Sequence, residues 1–187
     1  MSGKIWLITE DENDSIVIQK LLDAHKIHVE VDWQKTTGGG ISRLVAEVEK
    51  LIQTAKKRKD RKDCIAVLHD WDEHKQPDRR IYDQIKTICY QYRRDAVLVI
   101  ARQSIEAWLL ADSGICDWLG IRPKNWDESR DPKSELNRHL KKIDKKLKFP
   151  GRYTESILSH AHGDGYIHSP SMRAALKHLD DAPCIEK

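Results

Sequence analysis

The chain has 187 residues, 39% of them hydrophobic and 34% charged, with a formal net charge of only +3. That length suits one domain with a real core under a heavily charged surface, and that charge excludes a polycation. No segment approaches the roughly 20 apolar residues of a membrane span. The apolar run Ile5-Trp6-Leu7-Ile8 is too short for a signal peptide, so the expected location is cytoplasmic. Four scattered cysteines, Cys64, Cys89, Cys116 and Cys184, form no Cys-x-x-Cys pair and predict reduced thiols.

In chain order, residues 4–9 read as a first strand that ends at Glu10. Residues 16–24 carry a broad apolar stripe and predict a helix, with Asp14 or Ser15 as its N-cap. Residues 27–33 alternate apolar and polar positions, the pattern of an edge strand with one wet face. Gly38-Gly39-Gly40 leads into a helix over 41–55 and is either a turn or an anion cradle; without Gly-Lys-Ser/Thr it is no P-loop.

Ile65-Ala66-Val67-Leu68 is a short apolar run predicting a strand buried on both faces, and it ends in Asp70-Trp71-Asp72. A helix over 79–92 and a strand over 96–101 come next. A further helix over 103–112 holds Glu106 as a single acid among apolar neighbours. An unpaired buried carboxylate is costly, so Glu106 is expected to have a partner.

The β-α-β-α-β-α-β-α order predicts an α/β fold, a mostly parallel sheet flanked by helices over residues 1–116. Residues 117–187 read as a helical and irregular C-terminal extension of the same single domain, with helices over 134–147, 151–160 and 172–179.

In such sheets ligands sit at the carboxyl ends of strands. Glu10, Asp70 with Asp72, and Glu106 all fall at that edge. Carboxylates gathered there repel one another and need cations or shared protons, which is the requirement of a Mg²⁺ phosphoryl-transfer site. Lys56, Lys57, Arg58, Lys59, Arg61 and Lys62 form a basic run, and Lys141, Lys142, Lys145, Lys146 and Lys148 a second. Either run suits a nucleic-acid backbone or a solvated helix face. Of the six tryptophans only Trp71, between the two aspartates, stands near a substrate.

Thr9-Glu10-Asp11-Glu12-Asn13-Asp14, with Asp70-x-Asp72, resembles the two acidic motifs of Toprim domains. Glu106-Ala107-Trp108-Leu109-Leu110-Ala111-Asp112, Asp131-Pro132-Lys133 and Ser169-Pro170-Ser171-Met172-Arg173 extend the resemblance over nearly the whole chain, to stand-alone Toprim-like proteins related to OLD-type nucleases, topoisomerases and primases. The resemblance implies a Toprim-like (Rossmannoid) sheet and an Mg²⁺- or Mn²⁺-dependent nuclease. Glu10 is implied as general acid/base or metal ligand, Asp70, Asp72 and Glu106 as metal ligands, and Asp14 as a supporting metal ligand. Lys133 is implied to offset phosphate charge. It further implies an effector of anti-phage defence working with an ATPase partner. One position departs from the pattern: Asp11 stands where these families usually have glycine, where it either crowds a phosphate or adds an acid.

Two other classes fit some of these residues. A non-catalytic nucleic-acid-binding or regulatory protein would keep the basic run with a degenerate Toprim site. A receiver-like signalling domain would take a phosphoryl group on Asp70, although no later strand ends in Lys-Pro. His160, His162, Asp164 and His168 match no standard zinc spacing.

Overall fold

The computed structural model describes residues 3–37, 41–60, 62–71 and 80–182. Asp72, Arg61, Cys184, the Gly38-Gly39-Gly40 loop and the start of the helix expected at 79 lie outside them. Four strands, β1 (Lys4–Ile8), β2 (Glu30–Gln34), β3 (Cys64–Asp70) and β4 (Ala96–Ala101), form one all-parallel sheet in the order β2-β1-β3-β4. The helices are α1 (Glu12–Ala24), α2 (Ile41–Arg58), α3 (Arg80–Gln91), α4 (Ile105–Leu109), α5 (Ser113–Leu119), α6 (Pro132–Ile143), α7 (Thr154–Leu158) and α8 (Pro170–Asp180). The architecture is α/β, a parallel sheet flanked by helices.

Strand alternation divides the core into two layers. Ile5 and Leu7 of β1 pack with Val17, Ile18 and Leu22 of α1, whereas Trp6 and Ile8 pack with Leu44, Val48 and Ile52 of α2 and Ile85 of α3. Full burial of each aliphatic side chain contributes about 1.5–3 kcal/mol before chain entropy is counted. β3 is buried on both sides from Cys64 to His69, as its unbroken apolar run predicts, while every residue of the edge strand β2 keeps some exposure.

Chain order places β1 beside both β2 and β3, so the connections leave in opposite directions on either side of the β1–β3 pair. The crevice above the carboxyl ends of that pair is the topological switch point, the usual ligand site of open α/β sheets.

The C-terminal segment belongs to the same core as β1. Leu136 and Leu140 of α6, Phe149, Ile157 of α7, and Met172 and Leu179 of α8 share one buried cluster with Ile5 and Leu7. α8 packs against β4, and His178 Nδ1 lies 3.3 Å from the Leu98 carbonyl, which shields part of the sheet edge.

Three local expectations are corrected. α1 begins at Glu12 with Asp11, rather than Asp14 or Ser15, as its N-cap. The helix expected over 103–112 stops at Leu109, because Asp112 turns away to cap α5 and to accept from the His162 and Gly163 amides. The basic helix starts at Pro132, capped by Asp131, and ends at Ile143 rather than 147. The cysteines also differ: Cys89 and Cys116 are free and buried, but Cys64 is disulfide-bonded. No helix among the described residues is long and apolar enough to cross a membrane.

Candidate active site

Each acid reaches the site for a local reason. Glu10 lies just past the last residues of β1, where the chain must leave the sheet. Asp11 adopts extended backbone and accepts from the Asn13 amide at 2.8 Å and its side-chain nitrogen at 2.7 Å, which starts α1. The Asp11 side chain is thus a helix cap on the rim of the site. One turn into α1, Asp14 accepts from the Thr9 hydroxyl at 2.6 Å, clamping helix to strand end. Asp70 closes β3, and its Oδ1 accepts from the Ile105 amide at 3.1 Å, so β3 holds the N-terminus of α4. Glu106 sits in the first turn of α4, buried among apolar residues.

These groups converge. Thr9, Glu10, Asp11, Asp14, Asp70, Glu106, Lys133 and Pro150 line one pocket of about 160 Å³ at the switch point. The partner expected for Glu106 is Lys133: its Nζ lies 3.6 Å from Glu106 Oε1, and the lysine itself is half-exposed. The Asp131-Pro132-Lys133 stretch thus has a mechanical meaning. Asp131 caps α6, Pro132 sets its first turn, and Lys133 is thereby aimed at the pocket.

Among the described residues, four carboxylates besides the capping Asp11 line this pocket together with one lysine. Burial, reinforced by Asp11, Glu106 and Glu10, pushes the Asp14 carboxyl up to about 7 in spite of its Thr9 hydrogen bond. The donor set is hard oxygen, as Mg²⁺ requires, and Mg²⁺ commonly takes only one or two carboxylates and retains several waters. Among the described residues no three acid, histidine or cysteine side chains converge tightly enough to form a closed cage. The donor chemistry of these side chains suits a hard cation, but their spacing among the described residues forms no ready-made metal cluster. Asp72, expected as a further ligand, lies outside the described residues.

Sequence reasoning missed His69. It is fully buried on the α3 face of β3, and its Nδ1 lies 4.0 Å from Glu10 Oε1. Neither ring nitrogen has a hydrogen-bond partner among the described residues, and burial lowers the pKa to about 4, so the ring is neutral near pH 7. Parallel register was the available signal: Ile8 pairs with Val67, so Glu10 falls opposite His69.

The basic run does not join this pocket. Lys56, Lys57 and Arg58 end α2, and Lys59 and Lys62 come just after it, all at the amino edge of the sheet. The six-residue rise of β3 separates that edge from Asp70 by about 20 Å. Lys56 is paired with Asp95 at 2.6 Å, and Lys59 donates to the Asp63 carbonyl at 3.2 Å. The loop histidines are also occupied: His160 stacks on Trp118, while His162 and Asp164 bond to Ser113. Ser169-Pro170-Ser171 proves to be a clasp. Buried Asp127 accepts from both serine hydroxyls and from the Ser171 amide, and Trp108 Nε1 donates to Ser171 Oγ at 2.8 Å. The free thiols Cys89 and Cys116 are pushed up to about 12 by burial, so neither serves as a thiolate nucleophile.

Comparison with family descriptions, with curated proteins and with solved structures found no match for this chain.

Proposed function

We propose that the protein is a Mg²⁺- or Mn²⁺-dependent nuclease of Toprim-like architecture, hydrolysing phosphodiester bonds in nucleic acid at the switch-point pocket. The observation that carries this reading is the pooling of Glu10, Asp14, Asp70 and Glu106 with Lys133 in one small hollow. Such an arrangement is costly to a fold that does not use it. A divalent ion held by these carboxylates supplies Lewis-acid polarisation of a phosphoryl oxygen.

The chain's own groups have separable roles in this reading. Glu10, beside neutral His69 and partly open to the pocket, takes the proton of the attacking water. Lys133 offsets charge building on the phosphoryl oxygens while it pairs with Glu106. Asp70 holds α4, and with it Glu106, at the pocket wall. Asp14 holds a proton readily near neutral pH and lowers the repulsion among its neighbours. The defence role and the ATPase partner rest on the motif resemblance alone.

The test is cleavage of plasmid DNA and single-stranded RNA with Mg²⁺ or Mn²⁺. Glu10→Gln and Asp70→Asn should each reduce cutting at least 100-fold while unfolding as the wild type does. The asparagine keeps an acceptor for the Ile105 amide, so loss of cutting cannot be laid to loss of α4. Undiminished cutting by both variants overturns the reading.

The non-catalytic binder is the second reading, favoured by the distance of the exposed basic run from the acids. It expects salt-dependent nucleic-acid binding unaffected by either acid variant.

A further inference from the structure

Beside the acidic pocket, on the opposite face of the same sheet edge, lies a hollow of about 370 Å³ lined by Trp71, Tyr82, Asp83, Lys86, Ile100 and Arg102. The Trp71 amide donates to the Ala101 carbonyl at 2.8 Å, extending the β3–β4 ladder one residue past Asp70. Because Asp70 pairs with Ala101, Trp71 falls opposite Arg102. Side chains alternate along a strand, so Trp71 faces α3 while its neighbour Asp70 faces the acidic pocket. From α3, Tyr82 meets the Trp71 ring edge to face, with centroids 4.1 Å apart, and Lys86 Nζ lies 5.8 Å from the centre of the Tyr82 ring. One wall is thus aromatic and braced. Among the described residues Lys86 stands over that wall, and Arg102 and Asp83 line the same hollow.

A rigid aromatic floor with flanking Lys and Arg suits a flat ring that carries a phosphate. The volume is within the usual range of about 300–1,000 Å³ for small-ligand pockets. Aromatic faces of this kind hold unstacked bases, whereas a base inside a duplex has no free face to offer. We infer that this hollow seats one unstacked nucleotide of a single-stranded substrate, its base on Trp71 and its phosphate towards Lys86 and Arg102. The seat adjoins Asp70, so the next phosphodiester along the strand is delivered over the sheet edge to the acids. The inference rests on the nuclease reading for the cleavage of that bond, but the binding itself does not need catalysis.

Binding of a fluorescein-labelled single-stranded oligonucleotide and of the matching duplex, measured in EDTA, tests it. Trp71→Ala should weaken single-strand binding about 10-fold, Trp71→Phe should keep most of it, and duplex binding should be unchanged. Lys86→Ala, an exposed change that leaves the fold intact, should lower the slope of log K against log salt by about 0.7. Wild-type affinity in Trp71→Ala, or an unchanged slope in Lys86→Ala, overturns the proposal. A wild type that ignores single strands also overturns it, while metal-dependent cutting of plasmid would still leave the nuclease reading standing.

Discussion

Glu10 and His69 face each other across the β1–β3 pair, with Oε1 and Nδ1 4.0 Å apart, and the histidine is buried and neutral. The distance exceeds a hydrogen bond, so neither ring nitrogen is satisfied among the described residues. His69→Leu removes that cost and should leave stability within about 1 kcal/mol of wild type or above it. If Glu10 relies on the ring for position, the same variant should lower kcat with KM little changed. Steady-state kinetics beside thermal unfolding separates the two effects.

The pH dependence of stability carries two opposed signs. The folded pKa of Asp14, about 7, lies above its ordinary 3.8, so its contribution is fully present at low pH and is lost as pH rises from about 4 to about 7. The folded pKa of His69, about 4, lies below its ordinary 6.5, so its contribution is present above about 6.5 and is lost as pH falls towards 4. Between these limits the two contributions oppose each other. Asp14→Asn should expose the histidine limb, with Tm falling from pH 6.5 to pH 4. His69→Leu should expose the aspartate limb, with Tm falling from pH 4 to pH 7. Thermal scans across that range check both.

Asp14→Asn should also stabilise the protein near pH 8 by about 1–3 kcal/mol, because it removes one of several clustered negative charges while the amide oxygen still accepts from Thr9. Added Mg²⁺ should raise the Tm of the wild type more than that of Asp14→Asn. Equal shifts would exclude Asp14 as a ligand of the cation.

Lys133→Ala leaves Glu106 buried without this cation and should cost about 1 kcal/mol, a modest figure because the lysine is half-exposed. In a double-mutant cycle with Glu106→Gln, the cost of losing Lys133 should largely vanish. Denaturant titration of the four proteins measures that coupling.

Gly163 has φ +80°, and a Cβ there would overlap Ala24 Cβ. Gly163→Ala should therefore cost about 1–3 kcal/mol from strain and overlap together. Adding Ala24→Gly should recover the overlap but not the strain, so rescue is partial. Thermal unfolding of the single and double variants measures both parts.

Much of this molecule was legible without coordinates. The apolar run of β3, the alternation of β2 and the helical stripes of α2 and α3 each report a local period, and periods of 2 and 3.6 survive in a linear string. The positions of Glu10 and Asp70 at strand ends follow from where those periods stop, and the need of Glu106 for a partner follows from its apolar neighbours.

Tertiary structure decided the rest. That Lys133 is the partner, that His69 faces Glu10, and that Asp112 breaks a helix to hold residues 162 and 163 all depend on segments far apart in sequence. The role of Ser169 and Ser171 as a clasp on Asp127 was hidden for the same reason. The basic run shows the reverse limit: it was plain in composition, yet only the strand directions put it about 20 Å from the acids. Local patterns set which faces of each element are buried. The pairing of those faces across the core, and so the contents of the pocket, is settled by packing between elements, which no single stretch of sequence encodes.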